Sequence, residues 1–230
     1  MRNKKKGRNI ISLKGYKQAT HFPALRQIEA YWEGLRMGRL VPMRSEIDPR
    51  GIERALEYTF MLERIAPGLA RFRLAGTHLN DLLGMEVRGM PFTSFFTPAA
   101  RNIVTDTLER VFDAPQVAEL ELSAEKGIGK PGMDARLILL PLRSDLGEVT
   151  RIIGALVAVG AIGRAPRRFE VENVVTKELK RGHKPAVTPE MEPQKAPAEG
   201  FAENPAPYVA ITEKEPDGKR PALRLVVSND

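Results

Sequence analysis

Cysteine is missing from this 230-residue sequence, and histidine occurs only three times, at His21, His78 and His183. Without cysteine the chain has no disulfide bonds, thiolate nucleophiles, zinc ribbons or iron–sulfur clusters. No pair of histidines has the spacing of a helical metal site, and no serine lies in a G-x-S-x-G elbow. The sequence therefore predicts a protein that is not an enzyme and holds no metal.

Long apolar runs are missing as well. The longest one, Ile152 to Ile162, has eleven residues, whereas a membrane-spanning helix needs about twenty. Its length is typical of a buried strand. The basic N-terminus is followed by only a short apolar stretch without a small-residue cleavage site, which argues against a secretory signal. We therefore expect a cytoplasmic protein.

The positive net charge is confined to the start of the chain. Residues 1–20 hold seven Lys/Arg and no Asp/Glu, and the remaining residues carry 29 side chains of each sign. This pattern predicts a disordered basic arm over residues 1–21. The arm offers a weak contact to an anionic surface, either nucleic acid or membrane, through Lys4, Lys5, Lys6 and Arg8. An alternative function follows, in which a passive oligomerising domain is tethered by this arm.

An amphipathic helix follows the arm. Leu25, Ile28, Trp32 and Leu35 recur at three- and four-residue spacing, which places them on one helix face. Pro23 suits the first helical turn and Gly38 the end. A stripe that contains the only tryptophan must be buried, either by the domain itself or by a second copy of the chain. We predict a homodimer through this helix.

The next 130 residues alternate between strand and helix patterns. Asp48-Pro49 is typical of a helix start, and the runs on either side of Pro67-Gly68 predict a β-hairpin. A short helix from Thr77 to Gly84 and a longer one after Pro98 separate this hairpin from three further strands, within residues 117–123, 135–142 and 151–162. This order predicts an α+β fold with a mainly antiparallel sheet over residues 22–163.

Residues 164–230 are rich in Pro, Ala, Glu and Lys, with six prolines between Pro185 and Pro207. Such a composition buries too little apolar surface for a packed core. We predict a mostly disordered tail, with a transient helix over Glu170–Leu179.

Two motifs invite a functional interpretation. Residues 127–132 match G-x-G-x-x-G, but a strand follows them and Pro131 removes an amide donor, so a flexible hairpin loop is favoured over a nucleotide site. Glu119 and Glu121 share one face of a strand, and their alternation with apolar residues predicts that they face water. His78, beside Asp81, is expected to be a partly exposed polar residue.

Several local sequences resemble an alphaproteobacterial family of PAS domains formerly described as a domain of unknown function. The resemblance covers about residues 22–163. It rests on Tyr31-Trp32-x-x-Leu35-Arg36, on residues 42–49, and on Arg73-Leu74-Ala75-Gly76-Thr77 with Gly84 and Gly89 downstream.

The resemblance implies a curved five-stranded antiparallel sheet with helices across one face. It also implies a sensory or protein-interaction module that is often dimeric through an N-terminal helix and acts through partner proteins. The haem-binding type carries a histidine on the longer helix, and the photoreceptor type forms a cysteinyl-flavin adduct. Residues 99–113 contain no histidine and the chain contains no cysteine, so both cofactors are disfavoured and none is predicted.

The expected ligand pocket lies on the helical side of the sheet. Its side chains either surround a small apolar ligand or simply fill the core, and the small size of the domain favours a filled core. The expected lining residues are Leu62, Phe72, Leu74, Leu79, Leu83, Phe92, Phe96, Val104, Leu108, Leu120, Leu139 and Val157.

Overall fold

The structure, a computed structural model, describes residues 22–181. Helix α1 opens this part of the chain, and two 3-10 helices follow it at Arg44–Glu46 and Pro49–Tyr58. A β-hairpin, helix α2, a further 3-10 helix at Phe92–Phe95, helix α3 and four more strands complete it. The elements are α1 Pro23–Arg36, β1 Thr59–Ala66, β2 Leu69–Ala75, α2 Thr77–Leu83, α3 Arg101–Asp113, β3 Gln116–Ala124, β4 Asp134–Arg143, β5 Val149–Val159 and β6 Phe169–Glu178.

Six strands form one antiparallel sheet in the described part of the chain, in the order β2-β1-β5-β4-β3-β6. The antiparallel α+β fold predicted from the sequence is confirmed. The first five strands correspond to those expected, with the two-stranded and three-stranded halves joined where β1 pairs with β5.

Strand β6 corrects the predicted end of the domain. Residues 169–178 form an edge strand paired with β3 rather than a transient helix, so ordered structure continues beyond residue 163. Phe169 is fully buried at the start of β6. The rest of the predicted tail and most of the predicted basic arm lie outside the described residues.

Arg167 ties β6 to the rest of the domain. Its side chain is fully buried, and its Nη2 donates to the carbonyl oxygens of Glu125 at 3.2 Å and Pro131 at 2.6 Å. Its Nη1 donates to the carbonyl of Ile162, and its backbone N–H donates to Leu82 at 2.7 Å. One arginine therefore joins the β3–β4 loop, the segment after β5 and helix α2.

The two faces of the sheet are buried by different elements. Helices α2 and α3 and the Phe92–Phe95 turn cover one face, over a core that includes Leu62, Leu108 and Leu139. Helix α1 and the Pro49–Tyr58 segment cover the other face. Central strands β4 and β5 are therefore apolar on both sides, which explains the uninterrupted apolar run in β5.

Helix α1 is fixed to the sheet by its tryptophan. The Trp32 Nε1–H donates to the carbonyl of Pro141 at 2.9 Å, and the ring is 1% exposed. Proline is tolerated in β4 because the Pro141 carbonyl points away from β5, toward Trp32, on the side where the β3–β4 pairing has already ended at Leu139. Arg36 completes the contact, with its guanidinium carbon 5.3 Å from the indole centroid.

Replacing Arg167 with methionine should lower the free energy of unfolding by about 2–4 kcal/mol, because each buried carbonyl left without a donor costs about 1–3 kcal/mol. Chemical denaturation of the full chain measures this loss. Arg168→Met is the matched control, since Arg168 is exposed one residue away and should change stability by less than about 0.5 kcal/mol. Equal effects of the two substitutions would contradict the role assigned to Arg167.

Candidate functional site

The interior between the sheet and helices α2 and α3 is where the sequence places a ligand pocket. Ten of the twelve expected residues lie together in the core of this layer. They come from both halves of the sheet and from both helices, and they are Leu62, Phe72, Leu79, Leu83, Phe92, Phe96, Val104, Leu108, Leu120 and Leu139.

The other two residues lie elsewhere. Leu74 is 55% exposed, because a β-bulge between Met61 and Leu62 shifts the register of the hairpin. Val157 packs on the opposite face of the sheet, beneath helix α1. Neither side chain contributes to the interior layer, so both assignments are corrected.

Five phenylalanines occupy the middle of this interior. Phe72 is central, with ring centroids 5.6 Å from Phe60, 5.7 Å from Phe92 and 5.3 Å from Phe95. Phe92 also contacts Phe96 at 5.3 Å. All five side chains are at most 1% exposed. Their tilted and edge-on contacts are those that aromatic pairs favour in a dry core.

Gly154 makes room for this cluster. It lies opposite Phe60 where β5 pairs with β1. A Cβ atom at position 154 would lie 2.5 Å from Phe60 Cζ and 2.4 Å from the carbonyl oxygen of Ile138. The Phe60 ring therefore rests directly on the backbone of β5.

The residues of the predicted dimer helix are used inside the chain. Leu25, Ile28 and Trp32 are at most 3% exposed against the sheet of the same chain, and Leu35 is half-buried. The sequence left two surfaces that could bury this stripe, the domain itself or a second copy of the chain. In the structure the domain itself buries it. A dimer through these side chains would have to lift α1 from the sheet, so this interface is corrected.

His78 has a structural environment. Its Nε2 accepts the backbone N–H of Ala158 at 3.2 Å, and its ring meets Tyr58 edge-on at 4.9 Å. Burial lowers the pKa of His78 from 6.5. The nearby negative charges of Glu57 and Asp81 act in the other direction and offset this only in part. With Nε2 already accepting a hydrogen bond, the neutral imidazole joins helix α2 to β5 and is not free to act as a base there.

A charged cluster lies on the other face of the sheet, at the outer end of β1. Glu63 contacts Arg71, Arg73 and Arg151. Its hydrogen bond to Arg73 is the main cause that lowers the pKa of this carboxyl group to about 2, with further contributions from Arg71 and Arg151. Glu63 is therefore ionised at any physiological pH, and the cluster has a formal charge of +2.

The acidic pair on β3 has a partner on the next strand. Arg136 contacts Glu119 at 3.0 Å and Glu121 at 2.7 Å. The two carboxylates lie on the α1 side of the sheet, beside Phe22, whose ring centroid is 5.7 Å from the Arg136 guanidinium carbon. Their side chains remain 25% and 36% exposed, so they face water in part, as predicted, while paired with Arg136.

The glycine-rich sequence lies in the hairpin loop between β3 and β4, as predicted. Gly127 and Lys130 exchange backbone hydrogen bonds, and the Arg164 N–H donates to the carbonyl of Gly129 at 2.7 Å. The backbone therefore pairs with the neighbouring segment, and a strand follows in place of the helix that a pyrophosphate site needs.

The described residues offer no metal cluster that the sequence missed. Between Phe22 and Arg181, no three His, Asp or Glu side chains are close enough to hold a metal ion. Over the same range no helix is long and apolar enough to cross a membrane. The proposed anionic-surface contacts at Lys4, Lys5, Lys6 and Arg8, together with His21 and His183, lie outside the described residues.

Replacing Phe92 with alanine should lower the free energy of unfolding by about 3–5 kcal/mol, because it removes a fully buried ring and leaves a cavity among the remaining phenylalanines. Urea denaturation of the full chain measures the loss. Phe92→Leu is the matched variant and should cost clearly less. A loss below about 1 kcal/mol for Phe92→Ala would show that the cluster is loosely packed.

Protonation of His78 should destabilise the domain. Its folded-state pKa lies below the unfolded value of 6.5, so the unfolded chain binds the proton more tightly and stability rises with pH through this window. The contribution is complete above about pH 6.5 and is lost as the pH falls through the lowered folded-state pKa. NMR titration of His78 and denaturation between about pH 5 and 7 test this.

His78→Gln is the control for that titration, because the amide oxygen can accept the Ala158 N–H without titrating. We expect a flatter stability profile for the variant over the same pH range. A folded-state pKa of His78 at or above 6.5, or an unchanged pH slope in the variant, would overturn the assignment.

Comparisons with known proteins identify the family. The PAS domain model matches residues 20–157, more than half of the chain. No curated protein matches the chain. Among solved structures, a light-oxygen-voltage domain studied with a flavin analogue is 18% identical, with a TM-score of 0.35 over 48% of this chain and 83% of that one.

Two further structures show the same limited overlap. An RNA-binding light-oxygen-voltage receptor is 19% identical, with a TM-score of 0.36 over 51% of this chain and 35% of that one, so the chain spans about a third of that receptor. The light state of the blue-light photoreceptor Aureochrome1 LOV is 11% identical, with a TM-score of 0.34 over 48% of this chain and 88% of that one. The sequence match over residues 20–157 confirms the resemblance found in the sequence: the chain belongs to the PAS domain family.

Proposed function

We propose that the protein is a non-enzymatic PAS interaction module of the cytoplasm that works with a filled interior and acts through a partner protein. PAS domains are sensory or interaction modules, and the observation that favours interaction is the phenylalanine cluster. Five rings in mutual contact, each at most 1% exposed, occupy the layer between the sheet and the helices. A ligand there would have to displace side chains that hold the domain together.

A flavin or haem does not fit the side chains of this interior. Both are large planar groups, and bound cofactors need polar side chains placed to orient them. The layer around Phe72 and Phe92 is aromatic and aliphatic, and helix α3 carries no histidine that could bind haem iron. A cysteinyl-flavin adduct has no cysteine to form it. These residues support a module without a cofactor in its interior.

The ionisable groups support the non-enzymatic part of the proposal. Among the described residues, the pKa values of Glu46, Glu63 and His78 are lowered and that of Tyr58 is raised. Glu46 and Glu63 are ion-paired with arginines, and His78 accepts a backbone hydrogen bond. Structural ion pairs also perturb pKa values, and Glu46, Glu63 and His78 each have their partners within the domain.

Native mass spectrometry and thermal shift of the full chain test the filled interior. We expect freshly purified protein without a bound small molecule, and no rise in melting temperature with a metabolite library that includes flavins and haem. Phe92→Ala is the positive control, because its cavity should admit small aromatic compounds such as indole and restore a ligand-dependent shift. A metabolite that co-purifies with the native chain, or that raises its melting temperature, would overturn the proposal in favour of a ligand sensor.

A further inference from the structure

One apolar surface of the domain is only partly covered by its own elements. It is a groove of about 230 Å³ on the α1 side of the sheet, between the Pro49–Tyr58 segment and the β1–β2 edge. Its floor is Met61 and Ile153, both at most 7% exposed, and its walls are Leu56 at 44% and Leu74 at 55% exposure. Both wall residues present apolar surface to solvent.

The groove follows from how the face is covered. Helix α1 packs over β4 and β5, whereas β1 is contacted on this side by the shorter Pro49–Tyr58 segment. The bulge in the hairpin places Leu74 opposite Met61 and turns its side chain to this face. The β1–β2 end of the sheet is therefore only partly covered.

The arginine cluster lies immediately beside the groove. Met61 and Glu63 are two residues apart on β1, so their side chains lie on one face about 7 Å apart along the strand. Met61 pairs with Leu74 and Ile153, and Glu63 pairs with Arg71 and Arg151 on the same two neighbouring strands. An apolar groove and a site of net charge +2 thus form one continuous surface.

The shape and charge of this surface distinguish among its possible occupants. Small-molecule sites bury about 70–90% of their ligand, and walls as exposed as Leu56 and Leu74 favour a larger partner that covers them from outside. A second copy placed symmetrically over this patch would bring two clusters of charge +2 together, which is repulsive. A partner with apolar and acidic side chains complements both parts.

The spacing fits a helix. On a helix, side chains at i and i+4 lie on one face about 6 Å apart along the axis. That separation matches the distance of about 7 Å between the positions of Met61 and Glu63 on β1. A leucine at i can therefore enter the groove while a glutamate at i+4 meets the arginines.

We propose that this groove docks an acidic amphipathic helix of a partner protein, with its apolar side chains against Met61, Leu74 and Ile153 and its carboxylates on Arg71, Arg73 and Arg151. The inference rests on the proposed function, in which the module acts through a partner. It names the surface used and the chemistry of the segment that binds there.

A designed peptide tests the proposal with the full chain. The probe is a fluorescein-labelled helical peptide with leucines at i and i+3 and glutamates at i+4 and i+7, so that each leucine is followed by a glutamate four residues later. One control peptide carries lysine in place of every glutamate, and a second carries serine in place of every leucine. Fluorescence anisotropy should show saturable binding of the acidic peptide, and at least about tenfold weaker binding of either control. Raising the salt concentration from about 0.05 to 0.5 M should weaken the acidic complex.

Substitutions in the protein locate the contact. Leu74→Glu and Arg73→Glu should each weaken binding of the acidic peptide by about tenfold or more. Ile128→Glu and Arg110→Glu are the matched controls, because Ile128 is 96% exposed in the β3–β4 loop and Arg110 is exposed on α3. Both controls should leave binding unchanged. Circular dichroism and melting temperature confirm that each variant is folded.

Methyl NMR gives a readout that needs no substitution. The acidic peptide should shift the methyl signals of Ile52 and Ile153 in the groove and leave that of Ile162 unchanged. Absence of binding, equal binding of the lysine peptide, or shifts confined to other regions would each overturn the proposal. So would a dimer that Leu74→Glu dissociates, which would assign the groove to a second copy, or a melting shift with dodecanoate alone, which would assign it to a lipid.

The outcomes separate this inference from the proposed function. If cross-linking in native cells joins a partner to other parts of the domain, the proposed interaction module is supported and the proposed docking groove is wrong. If a metabolite is bound in the interior, the proposal of a filled core is wrong. Peptide binding at the groove is measured independently and would still support the docking site.

Discussion

The contact between Phe60 and Gly154 determines how the two halves of the sheet meet. Strand β1 belongs to the hairpin and β5 to the three-stranded half, and they pair in the register that places Phe60 opposite Gly154. The glycine lets the ring lie on the strand, and Phe72 and Phe92 then pack on that ring. The register, the aromatic cluster and the position of the Phe92–Phe95 turn therefore depend on one close approach.

The sheet separates two kinds of surface. On the side of α2 and α3, the side chains form a dry apolar layer. On the side of α1, apolar packing is flanked by ion pairs, with Arg136 between two glutamates at one end and Glu63 among three arginines at the other. The charged side chains that could recognise another molecule therefore lie on the α1 face, while the apolar layer on the opposite face stabilises the domain. In such an arrangement a partner can act on the outer face without opening the core.

Much of the fold could be predicted from the sequence because its patterns are local. The three-to-four spacing through Trp32 indicated α1, and the alternation around Pro67-Gly68 indicated the hairpin. Both signals depend only on neighbouring residues. The family could be predicted because several such segments occur together in one order. The same local signals identified ten of the interior side chains.

The predictions from the sequence fail where pairing between residues far apart in the chain determines the direction of a side chain or the type of an element. Alternation in β2 predicts the same inward face for Phe72 and Leu74, but Arg73 is an extra residue in that strand, and this bulge turns Leu74 to the opposite face. Val157 lies in a continuous apolar run, which carries no information about which face a residue occupies. The sequence of β6 is rich in glutamate and became a strand through pairing with β3, some fifty residues earlier. Alternation of Phe169 and Val171 with Glu170 and Glu172 was the available signal.

Strand β6 also changes what counts as a complete domain. It occupies the hydrogen-bonding edge of β3 from Gln116 to Ala124, and Arg167 holds the chain that leads to it. A fragment cut after β5 would lack both, leaving the amides and carbonyls of β3 unpaired along one whole side. Exposed edges of this kind recruit strands from other molecules. Strand β6 replaces that edge with one that carries exposed Glu170, Glu172 and Lys177. Charged side chains on an edge strand disfavour pairing with other molecules, so fragments for biophysical work should extend through the end of β6.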